Sequence, residues 1–413
     1  MIVRHPTAQE YPEVRRLNHV AYRTSWSDNT DEEIIADLIE TQGENLNEYL
    51  SNIYFAYSAD NEPMAKVQIV PLHSFLNGER IKHGGIGGVA TYAEYRRTGA
   101  VRALMTQSIL DMYERDYLIS YLYPFSHPFY RKFGYETHAC VTYYSLDMNA
   151  YELRRPVIDG DWYMLKSKDD PHWETIYDLY RSYAADYNLM VDRQADRWDR
   201  YREKDPYQGK HFTYLFTDKK GQARASFSFE SAGDNDQFKI HDLAFSSIDG
   251  LVAILDFARR FRSDFDKLTL PLASDFPLEM LTTEVPEQEI RYGMVRVISV
   301  AEILKRIQVP YLAADQDLLI TVKDSIINEN NTSFHLHLSS QDQTVGVNEI
   351  TDDATTLQVA ATINLDINTL SVMLVGGRSF DDLRLSGSLS WSGDQQLLSA
   401  VFPKQLSKQN DYY

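Results

Sequence analysis

The chain has 413 residues, 43% of them hydrophobic and 12% aromatic, and its length predicts two or three domains because it exceeds one typical hydrophobic core. A formal net charge of −19 argues against nucleic acid as a partner and favours cationic small molecules, although acidity that serves solubility alone explains it equally. One cysteine, Cys140, excludes an intramolecular disulfide and fits a reducing cytoplasm, and no segment approaches the roughly 20 apolar residues that a membrane-spanning helix needs.

Residues 1–150 alternate strand-like and helix-like segments. The predicted elements are a strand at 2–4, a helix at 11–22, a second helix that begins at the Thr30–Glu33 capping box, a hairpin of strands 53–58 and 64–72, and a strand at 81–91. The glycine-rich stretch 84–88 lies inside the last strand with no helix directly after it, so we expect a ligand or another backbone to approach closely there. This alternation predicts a mixed α/β domain.

A basic glycine turn, Arg96 to Arg102, follows that strand and begins a helix-periodic segment. Successive backbone N–H groups at a helix N-terminus, reinforced by the helix dipole, can hold a pyrophosphate. Gly99 removes the Cβ where phosphates must approach, and Arg96, Arg97 and Arg102 add positive charge around the same oxygens. The plainer alternative is a polar loop before an ordinary amphipathic helix, which explains most isolated Arg-x-x-Gly segments.

A buried strand is predicted at Tyr117–Tyr123, and the order strand, phosphate turn, helix, strand is similar to the coenzyme A core of the GNAT superfamily of N-acetyltransferases. The motif of that superfamily, Gln/Arg-x-x-Gly-x-Gly/Ala, is kept at Arg96 and Gly99, whereas Val101 stands at its last position. Just past the strand, Tyr130 is placed to protonate the thiolate that leaves when an amine attacks a thioester. Alternatively, Tyr130 belongs to an aromatic stripe at helical spacing that packs into the core.

The remaining chain divides into two further parts. Residues 151–300 repeat the alternation, with a helix at 173–187, strands at 211–217, 223–231 and 238–245, a helix at 249–262 and a strand at 267–271. The position that matches the phosphate turn, Phe245–Gly250, lacks arginine, and Asp249 would repel phosphate, so we expect a second acetyltransferase-type fold without a cofactor site. Residues 301–413 are predicted to form an α+β module of about a hundred residues.

The segment Phe-Tyr-Arg-Lys-Phe-Gly-Tyr-Glu at 129–136, the turn at 96–102 and the order of the three parts resemble the enhanced intracellular survival family, a group of multi-acetylating aminoglycoside-type N-acetyltransferases. The resemblance covers the whole chain. It implies two tandem GNAT-type folds, the second degenerate, followed by a sterol-carrier-like α+β domain, with boundaries at 1–150, 151–300 and 301–413. It also implies assembly as a homohexamer.

The resemblance further implies roles for individual residues. Tyr130 takes the role of general acid, and Tyr413 takes that of general base through its terminal α-carboxylate, which requires the tail to reach back into the first domain. The implied contacts to acetyl-CoA are Val89, Ala90, Thr91, Arg97, Thr98, Gly99, Ala100, Val101, Arg102, Phe125 and Ser126. Because an α-carboxyl with a pKa near ~3.5 is a weak base toward an ammonium near ~10, the base role requires desolvation or a relaying water.

The amine site is expected to involve the segment Tyr22–Glu33. Trp26 can line it with an aromatic wall, and Asp28 can attract cations. In the C-terminal module, His335 and His337 alternate on one predicted strand, but two ligands without a third predict no metal site.

The sequence therefore predicts an acetyl-CoA-dependent N-acetyltransferase that acts on amino groups of cationic small molecules by direct transfer in a ternary complex. Two alternatives remain open. One is a protein lysine acetyltransferase, and the other is a non-enzymatic protein that binds lipid or acyl-CoA through the C-terminal module.

Overall fold

The structure, a computed structural model, describes residues 1–24, 28–194, 197–198, 206–209, 211–230, 237–350 and 358–412. The strands in these ranges are β1 (Ile2–Arg4), β2 (Ile53–Tyr57), β3 (Pro63–Leu76), β4 (Glu79–Thr91), β5 (Ile119–Leu122), β6 (Glu136–Asp147), β7 (Gly160–Met164), β8 (His211–Asp218), β9 (Ala223–Glu230), β10 (Gln237–Phe245), β11 (Lys267–Leu272), β12 (Glu287–Val297), β13 (Gln316–Lys323), β14 (Ser333–Leu338), β15 (Val345–Ile350), β16 (Ala361–Asp366) and β17 (Ser390–Gly393). The helices in the same ranges are α1 (Tyr11–Tyr22), α2 (Asp31–Gln42), α3 (Leu46–Ser51), α4 (Ala100–Glu114), α5 (His127–Arg131), α6 (His172–Ala185), α7 (Pro206–Gly209), α8 (Ile248–Ala258), α9 (Val300–Leu304), α10 (Ile367–Leu374), α11 (Phe380–Leu385) and α12 (Gln395–Val401).

One long sheet joins the first two thirds of the chain, in the order β1-β2-β3-β4-β5-β12-β6-β11-β10-β9-β8-β7. Strand β12, from the second third, lies between β5 and β6 of the first and pairs antiparallel with both. Strand β6 in turn pairs antiparallel with β11 of the second third. The two acetyltransferase-type halves therefore exchange strands at the centre of a continuous sheet, and the boundaries at 150 and 300 remain predictions.

The predicted elements of the first half are present. Helix α1 begins and ends where its apolar periodicity predicts, and it buries Val14 and Leu17. The capping box forms at α2, because the Thr30 side chain accepts from the Glu33 N–H while the Glu33 carboxylate accepts from the Thr30 N–H. Strand β3 extends beyond the predicted hairpin to Leu76, whose side chain is buried in a core shared with the C-terminal domain.

The C-terminal domain has a five-stranded sheet in the order β15-β14-β13-β16-β17. Helix α10 is almost entirely buried because it packs between this small sheet and strands β6 and β12 of the long sheet. Beside it, the Arg296 guanidinium donates to both carboxylate oxygens of Asp324, at 2.7 and 2.9 Å, and to the Phe133 carbonyl, at 2.7 Å. Both charged side chains are almost fully enclosed, so this ion pair ties β12 to the C-terminal domain.

Three remaining sequence features have plain structural outcomes. Cys140 is buried on β6, and burial raises the pKa of its thiol to about 11. His335 and His337 both hydrogen-bond Asp317 across the sheet, at 2.8 and 3.0 Å. Within the described ranges there is no cluster of three or more His, Cys, Asp or Glu side chains that could hold a metal, and no helix is long and apolar enough to cross a membrane.

Candidate active site

Strands β4 and β5 form a fork in the first domain. They pair in parallel over only four residues each, His83–Ile86 with Ile119–Leu122. Beyond that point β4 continues to Thr91, whereas the chain after β5 turns away toward α5. The β5-facing edge of residues 87–91 therefore has no strand partner in the described part of the chain, and its backbone is available to a ligand.

A β-bulge lies on this free stretch. Lys66 of β3 pairs with Ala90 and Gln68 pairs with Gly87, so Gly88 and Val89 together oppose a single residue. Gly88 takes a φ of +57°, which suits glycine. The Tyr22 hydroxyl donates to the Val89 carbonyl at 2.9 Å and fixes the bulge from the α1 side.

The three predicted cofactor contacts on β4 differ in their surroundings. Val89 packs toward the cluster under α4, whereas Ala90 is buried on the opposite face against α1. Thr91 is half-buried at the strand end and pairs with Ala65. Because these side chains lie on opposite faces of β4, only the backbone groups of residues 89–91 can face the fork together.

The predicted phosphate turn lies at the start of α4. Gly99 is the N-cap with a φ of +92°, Arg97 also has a positive φ of +66°, and no side chain caps the helix. A methyl group placed on Gly99 would have no other atom within 4 Å. The Thr98 hydroxyl donates to the Tyr95 carbonyl at 2.7 Å and braces the turn. This geometry leaves the first N–H groups of the helix open to an anion.

The residues that flank Gly99 are also compatible with the binding of an anion. Ala100 is buried and Val101 is half-buried, so these two contribute their backbone groups and anchor the helix. The side chains of Arg96, Arg97 and Arg102 are exposed, and none forms an ion pair within the described ranges. Their charge is available to phosphate oxygens.

Tyr130 lies in the single turn of α5, just past the fork. It is only 2% exposed, and its ring contacts those of Phe125 and Phe129, with both centroid distances at 5.1 Å. Its hydroxyl makes no hydrogen bond to any residue that the structure describes. Burial, followed by the nearby Tyr22, raises the pKa of the Tyr130 phenol well above its usual range. The phenol therefore stays protonated at neutral pH.

The two other predicted residues near α5 are arranged differently. Phe125 is 70% exposed beside Tyr130, and Ser126 is the N-cap of α5, although its side chain makes no capping bond. Phe129 and Phe133 pack with the cluster under α4, so the aromatic-stripe interpretation correctly describes these neighbours. Tyr130 shares the packing but keeps a free hydroxyl.

The C-terminal tail returns to this region. Its residues 408–411 are buried, and the Gln409 N–H donates to the Cys140 carbonyl at 2.7 Å. The Tyr123 hydroxyl, at the end of β5, donates to the Asp411 carbonyl at 3.0 Å. The Tyr412 ring then stacks on Tyr123 with centroids 4.3 Å apart. The tail thus reaches the first domain as far as residue 412.

Three predicted site residues have no described contact with the fork. Tyr413 and Trp26 lie outside the described residues. Asp28 is exposed in the loop before α2, and no contact joins it to the fork within the described ranges.

Comparisons with known proteins agree with this geometry. Residues 2–138 and 189–297 each match an acetyltransferase (GNAT) domain family, and residues 300–407 match the sterol carrier protein domain family. The protein is a GNAT-type acetyltransferase. No curated protein is significantly similar to it in sequence.

Solved structures similar to this acetyltransferase share its fold over the whole length. A probable N-acyltransferase from Enterococcus faecalis V583 has a TM-score of 0.80 and 21% identity, with 100% of this chain and 99% of that chain covered. A GCN5-related N-acetyltransferase from Anabaena variabilis ATCC 29413 also has a TM-score of 0.80 and 21% identity, with both chains covered completely. Eis1 from Mycobacterium abscessus has a TM-score of 0.76 and 17% identity, again with complete coverage.

The second acetyltransferase domain has a corresponding fork, which the tail fills. Strands β10 and β11 pair in parallel over residues 237–239 and 267–269. Just beyond, the Asn410 side chain donates to the His241 carbonyl at 3.2 Å, and the Lys408 ammonium donates to the Pro271 carbonyl at 3.1 Å. The tail therefore blocks this fork with its own side chains.

The turn that matches the phosphate site is also closed in the second domain. A Cβ placed on Gly250 would lie 2.2 Å from the Arg224 carbonyl oxygen, whereas the same position at Gly99 is open. Asp249 stands in the first turn of α8, where its charge opposes an anion. This acetyltransferase thus carries one open fork and one closed fork.

Several residues of the acetyltransferase site were not found from the sequence. Lys66 lies at the bulge, and Arg193 binds Asp411 of the tail at 3.0 Å. The one available signal was a lysine inside the apolar strand Met64–Val70. Arg193 and Asp411 are too far apart in sequence for any local pattern to join them.

Proposed function

We propose that this acetyltransferase transfers the acetyl group of acetyl-CoA to an amino group of a cationic small molecule, of the aminoglycoside or polyamine type. The observation that carries the proposal is the open fork of β4 and β5 beside the uncapped Gly99 turn. A diphosphate fits the helix N-terminus and the exposed arginines, and the extended arm of the donor fits along the free edge of β4.

The chemistry follows as direct transfer in a ternary complex. The acceptor nitrogen attacks the thioester carbon, whose oxygen gains negative charge that a backbone N–H near Val89 stabilises. The bond from carbon to sulfur then breaks, and the Tyr130 hydroxyl gives its proton to the departing sulfur. Bringing the amine against the thioester within one complex supplies much of the acceleration.

The proton that the amine loses is assigned to the terminal α-carboxylate of Tyr413. Support comes from the neighbouring Tyr412, which stacks on Tyr123 at the end of the fork. A carboxylate can accept the proton directly or through one water, and partial desolvation makes it a stronger base.

The acceptor is assigned to the segment Tyr22–Glu33, which carries Trp26 and Asp28. An aromatic wall and a carboxylate suit a cationic amine, and the net charge of −19 favours the same class. The proposal includes a homohexamer in the cytoplasm, with neither nucleic acid nor membrane as a partner. These last features follow from the resemblance to the enhanced intracellular survival family and from composition.

A thiol-release assay with acetyl-CoA tests the function. An aminoglycoside, a polyamine and a lysine-containing peptide are compared at equal amine concentration, with calorimetry of coenzyme A binding in parallel. We expect turnover with the cationic small molecules and little with the peptide. Turnover with the peptide alone would replace the proposal by a protein lysine acetyltransferase. Absence of turnover together with co-purified lipid would replace it by a lipid-binding role.

A further inference from the structure

Lys66, on β3, is a buried cation without a polar partner. Its side chain is fully enclosed, and its ammonium makes no hydrogen bond or ion pair with any residue that the structure describes. Burial lowers the pKa of this amine to about 8. An enclosed, unpaired ammonium destabilises a fold, because no group replaces the water that solvated it. Packing alone therefore does not explain why a lysine occupies this position.

The place of the ammonium suggests that reason. A Cβ placed on Gly88 would lie 2.5 Å from the Lys66 Nζ, so the charge lies directly against the bulge in β4. On the adjoining residue, the Val89 carbonyl is already bound by Tyr22. The described residues thus leave the Lys66 ammonium at this bulge without a hydrogen-bond partner.

Lys408 provides a comparison within the same chain. It is equally enclosed, and burial lowers its pKa to about 8 as well. Its ammonium, however, donates to the Pro271 carbonyl at 3.1 Å and to the Tyr183 hydroxyl at 3.3 Å. Lys408 thus has the hydrogen bonds expected of a buried lysine with a structural role, whereas Lys66 has none within the described residues.

We propose that Lys66 is a positioning residue of the active site, whose enclosed charge acts through the Gly88–Val89 peptide to stabilise the negative charge that the thioester oxygen gains during transfer. The inference rests on the proposed function. Because the ammonium is shut away from solvent, it acts by its field and not by contact with the amine. Screening in such an enclosed place is weak, so the field extends to the oxygen at the free edge of β4.

The test substitutes Lys66→Met, which keeps the length of the side chain and removes its charge. We expect kcat to fall by roughly ten- to a hundredfold, the scale seen when one charge-stabilising group is removed. KM for acetyl-CoA should stay within about twofold, since phosphate binding at Gly99 is untouched. The melting temperature should rise, because the buried charge is gone. Lys408→Met, which breaks two hydrogen bonds, should lower the melting temperature.

Each outcome of this experiment either supports or overturns the inference. If Lys66→Met keeps the wild-type kcat, the lysine has no catalytic effect and the inference is overturned. If the variant melts at a lower temperature or fails to fold, the lysine serves the fold, and the inference is overturned as well. Loss of kcat with a raised melting temperature supports it, since a structural role would lower both. A wild-type protein that acetylates no amine overturns the proposed function and this inference with it. An active wild type matched by an equally active variant overturns this inference alone.

Discussion

Tyr130 combines a buried ring with an unbonded hydroxyl. Its ring is packed among aromatic neighbours, and its hydroxyl makes no hydrogen bond to the part of the chain that the structure describes. Buried phenols usually satisfy their hydroxyl, as Tyr135 does with Ser120 at 2.7 Å. Burial raises the pKa of the Tyr130 phenol and so keeps the hydroxyl protonated before transfer, which the proposed role of general acid requires.

Tyr130→Phe tests this role because it removes the hydroxyl and keeps the ring. We expect kcat to fall by about a hundredfold or more, the usual contribution of a general acid, while coenzyme A affinity stays near that of the wild type. The readouts are thiol release and calorimetry. Tyr163→Phe, the same chemical change at an exposed residue of the second domain, should alter neither. Full turnover by Tyr130→Phe would exclude Tyr130 as the acid.

Individual residues differed in how far the sequence could predict them. Gly99 and Tyr130 were found because each belongs to a short local pattern whose chemistry can be read within about ten residues. Lys66 was missed because its significance comes from Gly88, which lies in the next strand and approaches only after β3 and β4 pair. A lysine in a strand is ordinarily assigned to the solvent face, and tertiary burial overrides that rule here.

At the scale of elements, the N-terminus of α4 is the feature that separates the two acetyltransferase domains. Both domains have a strand, a turn with glycine and a helix. Neither helix has a side-chain cap, but only the turn at Gly99 has open space, whereas the Gly250 turn packs on the Arg224 carbonyl. Binding of an anion therefore depends on a local backbone shape that side-chain substitution can disturb.

Gly99→Ala tests the turn against a matched control. Gly99 and Gly221 both have a positive φ, +92° and +76°, and open space at the Cβ position. Alanine adds similar backbone strain at either, about 1 to 2 kcal/mol, so both variants should lose comparable stability. Only Gly99→Ala should weaken coenzyme A binding, by about tenfold, because its strain shifts the N–H groups that hold the phosphates. Calorimetry checks the difference, and equal affinities would exclude this turn as the phosphate site.

Most elements could be predicted, whereas their pairing could not. Apolar periodicity located α1 and the hairpin of β2 and β3 to within a few residues. No local signal indicated that β12 enters the first domain between β5 and β6, because its partners lie about 150 residues earlier. Strand exchange is decided by which edges are free once both halves have formed.

At the scale of the whole molecule, the three parts share their cores. One apolar cluster combines side chains of β5 and β12 with those of α10 and the C-terminal sheet. The enclosed pair of Arg296 and Asp324 crosses the same boundary. The last residues then run from the C-terminal domain through the fork of the second domain to Tyr123 of the first. The second acetyltransferase domain consequently anchors the C-terminal tail.

Asp411→Asn tests whether this anchoring of the tail affects acetyl transfer. The Asp411 carboxylate accepts from the buried Arg193 at 3.0 and 3.2 Å, so removing its charge loosens the tail just before Tyr412 and takes one of two carboxylates, Asp411 and Asp242, away from the Arg193 guanidinium. We expect turnover to fall by about tenfold or more, because the terminal carboxylate loses its position, while coenzyme A affinity is kept. Asp275→Asn removes a second carboxylate that pairs with the tail, at the exposed Lys404, and should change neither quantity, since exposed pairs contribute little. Equal turnover in both variants would show that the terminal base does not depend on this anchor.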